Sequence, residues 1–147
     1  MLFLTVALAV VSCNRKTVYH HYEHTPLTGW DKEDTLFFSV ERMPQEAVIG
    51  RDVELRIADS YPFRSLCLIV EQTVYPSCQT RCDTVSCPLV DPDGTMLGQG
   101  ITLYQYRFPL PEVKLNEGDS LRLSVRHNMR RETLAGIADI GIRLMAY

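Results

Sequence analysis

The chain has 147 residues, with 18 acidic and 15 basic side chains, a formal net charge of −3 and 5 cysteines. That is enough for one domain with a real hydrophobic core, held without metals or dense crosslinking. The mild acidity lacks the basic footprint of a nucleic-acid binder, and no apolar run beyond residue 13 is long enough to cross a bilayer.

Residues 1–12, Met-Leu-Phe-Leu-Thr-Val-Ala-Leu-Ala-Val-Val-Ser, are apolar and uncharged. The run is too short for a transmembrane helix and fits the h-region of a secretory signal. Val10-Val11-Ser12-Cys13 resembles the lipobox of bacterial lipoproteins. That resemblance implies cleavage between Ser12 and Cys13, leaving 147 − 12 = 135 residues. Cys13 then carries a diacylglycerol on its thiol and a further acyl chain, such as palmitate, on its amino group. Multiple chains are what stable anchoring requires. A signal normally has a positively charged n-region, and none precedes this apolar run, which points to a start a few residues upstream.

Residues 13–29 are polar and without sustained period, and read as a lipidated tether with a short strand over residues 18–22. Within it His20, His21 and His24 lack a Cys or carboxylate at a metal-site spacing, and Pro26 and Gly29 argue against the helix that would align them. They read as solvated side chains. Trp30 opens the folded part, a domain over residues 30–147.

That domain reads as strands. Leu36, Phe38 and Val40 alternate with polar or opposite-face neighbours, as do Val53, Leu55 and Ile57. Residues 65–70 are apolar on both faces, as a central strand requires. Residues 84–90 and 95–108 follow, the latter interrupted by Gly98 and Gly100. Leu121, Leu123 and Val125, then Ile140, Ile142 and Leu144, resume the alternation. Seven or eight such strands predict an all-β fold, a single antiparallel, jelly-roll-like β-sandwich. One short helical turn is expected over residues 129–135, stopped by Gly136.

With Cys13 acylated, Cys67, Cys78, Cys82 and Cys87 remain, and four cysteines allow three pairings. A hairpin with Tyr75 opposite Asp83 sets Cys78 and Cys82 facing each other across its loop. Cys67 and Cys87 are then about 13 Å apart, too far for a bridge. This register predicts a Cys78–Cys82 disulfide and free thiols at Cys67 and Cys87. Cys78, Cys82 and Cys87 do not have a usual zinc spacing, and no metal site is expected.

No cofactor loop or catalytic signature is visible. Asp91-Pro92-Asp93-Gly94 lacks the later ligands of a calcium loop and reads as a tight turn. His127 has no Gly-x-Ser-x-Gly elbow to serve. Tyr61, Tyr104 and Tyr106 form a candidate contact surface, since grouped aromatics can bind a protein or a sugar, although such residues more often belong to the core or rim of a sandwich.

Several blocks resemble one family. Trp30-Asp31-Lys32-Glu33-Asp34, Tyr61-Pro62-Phe63-Arg64-Ser65-Leu66, Asp83-Thr84-Val85-Ser86-Cys87, Asp93-Gly94-Thr95-Met96-Leu97-Gly98-Gln99-Gly100 and the run from Met129 to Arg143 are similar, in order, to the gliding-motility lipoproteins GldH. The family's aromatic before Leu-Gly is Met96 here, and its Pro before Gly-Ile is Ala135. The resemblance implies an outer-membrane lipoprotein with no known catalytic residues, tied to gliding and to type IX secretion. Its expected partners are the bilayer, through acylated Cys13, and other envelope proteins, with no nucleic acid. A ligand- or glycan-binding sandwich is the alternative. Asn14-Arg15-Lys16-Thr17 lacks the acidic residues that follow the cysteine in surface-exported lipoproteins of these bacteria, so the domain is expected to face the periplasm.

Overall fold

The computed structural model describes residues 15–147 and is all-β, with no helix among them. Eight long strands form two sheets. β1 (Lys16–His24), β11 (Ile137–Ala146), β4 (Ala47–Ala58) and β8 (Leu103–Leu115) make one, extended by the two-residue β7 (Gln99–Gly100). β3 (Leu36–Val40), β9 (Ser120–His127), β5 (Ser65–Tyr75) and β6 (Gln79–Pro88) make the other. A two-residue pair, β2 (Trp30–Asp31) and β10 (Thr133–Leu134), closes one end. All pairings of neighbouring strands are antiparallel. The strand orders β1-β11-β4-β8 and β3-β9-β5-β6 are those of an eight-stranded jelly roll.

Period-2 alternation builds the core. Ile49, Val53, Leu55 and Ile57 of β4 and Ile140, Ile142 and Leu144 of β11 meet Leu66, Leu68 and Val70 of β5 and Leu121, Leu123 and Val125 of β9, all buried. Trp30 caps this core. Its indole nitrogen donates to the Asp34 carbonyl at 2.7 Å, and its ring meets His127 edge-on at 5.2 Å.

One inward position of β4 is charged. Arg51 is buried between the sheets and donates to the Pro111 carbonyl at 2.8 Å, to Gln72 at 3.1 Å and to Asp83 at 2.9 Å. Its partners lie on β8, β5 and β6, so one guanidinium ties both sheets together beside their open edges. Pro109 and Pro111 sit in β8 beyond its pairing with β7, where a missing N–H breaks no ladder bond on the outer side.

Four expectations need correction. Residues 16–24 of the presumed tether are an edge strand paired along β11, with a bulge between Thr17 and Tyr19. The expected helical turn over residues 129–135 is absent. Thr133 and Leu134 pair with Asp31 and Trp30 instead, because burying Leu134 against the core outweighs the local propensity of so short a segment. The β5–β6 hairpin pairs Asp83 with Val70, five positions from Tyr75. Cys78 therefore lies in the turn, with φ 59°, and Cys82 lies up the same strand opposite Glu71, more than about 10 Å away along the chain. Both are exposed free thiols, as the bridge's geometry requires more proximity. Tyr61, Tyr104 and Tyr106, finally, pack into or against the core instead of forming an exposed surface.

Candidate functional site

Tyr61 and Tyr106 are buried, their hydroxyls donating to the carbonyls of Ser65 and Leu89 at 2.9 and 2.8 Å. Tyr104 packs half-buried against the same core. The three are structural: β8 turns Tyr104 and Tyr106 inward, and Tyr61 packs into the core from the loop between β4 and β5. They do not form an aromatic platform.

Asp91 does make the predicted turn. Its Oδ1 accepts from the amides of Asp93 and Thr95 at 2.9 and 2.8 Å, and Gly94 supplies φ 87°. His127 is buried, with Nε2 3.2 Å from the Trp30 carbonyl; burial pushes its pKa down, against the pull of its backbone partners. The cleavage site at Ser12 and Cys13 lies outside the described residues, two positions before Arg15.

The densest chemistry lies where the sequence suggested nothing: on the outer face of the five-stranded sheet. Strand alternation that turns Val53, Leu55 and Ile57 inward turns Asp52, Glu54 and Arg56 outward. Glu54 is nonetheless 0% exposed. β1 on one side and β8 on the other reach over it. Its Oε2 accepts from His20 Nε2 at 2.8 Å and from the Tyr22 hydroxyl, and its Oε1 accepts from Arg107 Nε at 2.9 Å. Gly141, between β1 and β4 in the sheet, leaves room for the Tyr22 ring; a Cβ there would stand 2.7 Å from it.

Burial alone would push the Glu54 carboxyl up. The hydrogen bonds from Tyr22 and His20, with the His20 charge and Arg107, outweigh it and hold the carboxyl below the usual glutamate range. The same contact pushes the Tyr22 hydroxyl up to about 12, burial being the larger cause. Around this centre Arg56 stacks 3.9 Å above the Tyr22 ring and pairs with Asp139 at 3.6 Å, while His24 also bonds Asp139. His20 and His24 thus share the outer face, whereas His21 turns to the inner side, 6.1 Å from Phe38. The three histidines do not converge on one point.

The layering of charge is ordered by depth. The Asp52, Glu54 and Asp139 side chains are 11%, 0% and 10% exposed, while Arg56 and Arg107 above them are 38% and 52% exposed. With every Glu54 oxygen already accepting a hydrogen bond, this is a knot that fastens β1 to the sheet. Sequence reading missed it because Glu54 occupies an ordinary polar position of an alternating strand. Its partners come from 34, 32 and 53 residues away.

The loops at the other end of the sandwich are different. Leu27, Leu97, Ile101 and Leu103 are exposed there, Ile101 by 86%. β4 spans the distance between the two ends, 12 residues or about 36 Å.

Fold and surface together define a single jelly-roll domain whose chemistry is on its faces and ends, behind a lipobox-like leader. The GldH lipoprotein family model matches residues 17–144, and the chain belongs to that family. It is 27% identical to the gliding motility lipoprotein GldH of Flavobacterium johnsoniae, over 97% of this chain and 93% of that one. It is 26% identical to a GldH homolog of Christiangramia forsetii, over 97% and 92%. Among solved structures, latent PorU from Porphyromonas gingivalis aligns with 89% of this chain and 13% of its own at 11% identity. The TM-score of 0.38 is too low to argue from.

Proposed function

We propose that the protein is a non-catalytic lipoprotein, anchored to the outer membrane through acylated Cys13. It assembles or stabilises the gliding-motility and type IX secretion machinery from the periplasmic side. The relatives' names supply the motility context. The observation that carries the reading is the division of the sandwich into two ends. Strand β1 starts three residues after Cys13, so the lipid holds one end of a rigid body. The exposed Leu97, Ile101 and Leu103 occupy the opposite end, free for a protein neighbour. The burial of Tyr61 and Tyr106 removes the stacked aromatics on which the glycan-binding alternative rested.

In a gliding host, Cys13→Ser is expected to release the protein from membranes and fail to restore spreading in a deletion strain. Ile101→Asp with Leu103→Asp should stay folded and membrane-bound yet also fail. Normal spreading with the second variant would refute the adaptor role of this end. Protease added to intact cells should leave the domain uncut, and digestion before the envelope is opened would place it outside.

A further inference from the structure

We propose that the anchored corner of the five-stranded sheet's outer face is a seat for the phosphodiester headgroups of an anionic bilayer, with Arg15, Arg107 and Arg143 as the phosphate-binding groups. This rests on the reading that Cys13 carries lipid, which fixes where the membrane is. A groove of about 390 Å³ is lined there by these three arginines with Asp52 and Tyr147, among others. Arg15 lies two residues from Cys13, at most about 7 Å of extended chain, so the groove opens where the acyl chains leave the protein.

Three independent features suit a headgroup. The first is the convergence of charge. Arg107 Nε stands 4.0 Å from Asp52, which is nearly buried, and Arg107, Arg143 and Arg15 all draw the Asp52 carboxyl down against the dominant upward push of its burial. Asp52 sits opposite Arg143 in the sheet register and beneath Arg107, and gathers positive charge at this corner. Guanidiniums in a fixed fork match phosphate oxygens well. Among the described residues Arg143 also meets Thr17 at 3.3 Å, and Arg15 stacks 4.9 Å from the Tyr147 ring.

The second feature is the rim. Tyr147, exposed under Arg15, donates its amide to the carbonyl of exposed Val48, and Val18 is exposed near the start of β1. Two aliphatic side chains and an amphipathic aromatic ring are the composition that sits at a membrane–water boundary. The third is Lys16, exposed at the start of β1 next to the groove, which adds to the positive field. Phosphate in the groove and Val18, Val48 and Tyr147 at the acyl boundary would hold the domain in one orientation, where a lipid tether alone leaves it free to swivel.

The test uses the mature chain from residue 13 carrying Cys13→Ser, so that no acyl chain contributes. Sedimentation should show it on vesicles of phosphatidylglycerol and phosphatidylcholine in equal parts, weakly on phosphatidylcholine alone, with binding falling as salt rises. Arg15→Gln with Arg143→Gln should weaken partition at least tenfold. Arg122→Gln with Arg126→Gln, which removes the same charge from the opposite sheet, should leave it unchanged. Equal loss from both pairs, or loss from neither, overturns the proposal. So does a wild-type chain that ignores the vesicles while glycerol phosphate shifts the Arg143 and Tyr147 amide resonances, because the groove would then serve a soluble anion. The N-terminal mass of the native protein checks acylation separately, so the two readings fail by different measurements.

Discussion

Replacing Glu54 by Gln isolates the knot beneath the arginines. Three donors point at two carboxylate oxygens, His20 and Tyr22 at one and Arg107 at the other. A carboxamide of the same shape has one acceptor and one donor end, so either Arg107 or the His20–Tyr22 pair must face an N–H group. A hydrogen bond to a charged group is worth about 1.5–3 kcal/mol, and the remaining bonds weaken once the acceptor is neutral. Relief of the buried charge's desolvation offsets part of this. The net loss expected is about 3 kcal/mol, a large share of the 5–15 kcal/mol typical of a domain.

Urea unfolding followed by the fluorescence of Trp30, the only tryptophan and fully buried, reads it directly. At a slope near 2 kcal/mol per molar the midpoint should fall by about 1.5 M. The pH dependence supplies a second check. The folded carboxyl titrates below its unfolded value, so its stabilisation is present above the unfolded pKa and is lost as pH falls through the folded one. The gap between wild type and variant should therefore close in acid. A loss below 1 kcal/mol at neutral pH, or a gap that persists unchanged in acid, would refute the account.

Arg51→Met should cost about 3 kcal/mol, at the low end for a broken buried pair, because Asp83 retains Arg81 at 3.2 Å; a stability equal to wild type would show the cross-sheet tie to be idle. Gly136→Ala should destabilise by more than 2 kcal/mol, about 1–2 of it from placing a side chain at φ 92°. The rest comes from a Cβ 2.8 Å from the Tyr61 backbone, and a thermal midpoint within a degree of wild type would contradict both. Alkylation of the native protein should label Cys78 and Cys82 rapidly and spare Cys87, which is buried with its thiol pushed up to about 12 by that burial. A mass showing Cys78 bonded to Cys82 would mean that the hairpin adopts another register.

Strands with one dry face were legible in the sequence because burial is written there with period two: Leu36 to Val40 and Leu121 to Val125 need no partner to be recognised. Of β1 only the short strand over residues 18–22 was legible; its full length and its role come from Glu54, Asp139 and Phe38, each supplied by another part of the chain. The expected strand stopped at residue 108, whereas β8 continues through Pro109 and Pro111 to Leu115 along a side that β7 does not pair. Tyr104 and Tyr106 had the right periodicity and the wrong side, since alternation says that two residues share a face but not which face is wet. The hairpin register failed for a related reason. Gln79 to Ser86 is mostly exposed, so little hydrophobic contrast pinned it.

The first and last long strands are neighbours, β11 lying between β1 and β4. A chain emerging from its N-terminal end therefore has the two strands that flank a missing one, and cannot zip the sheet until residues 137–146 arrive. Until then β1 has no hydrogen-bonding partner strand and Glu54 lacks the cover of His20 and Tyr22. Pairings of such long sequence separation form slowly, so the sheet stays open until residues 137–146 are available. The same adjacency places Tyr147 against Arg15, and any tag appended to the C-terminus would crowd the corner where the lipid begins.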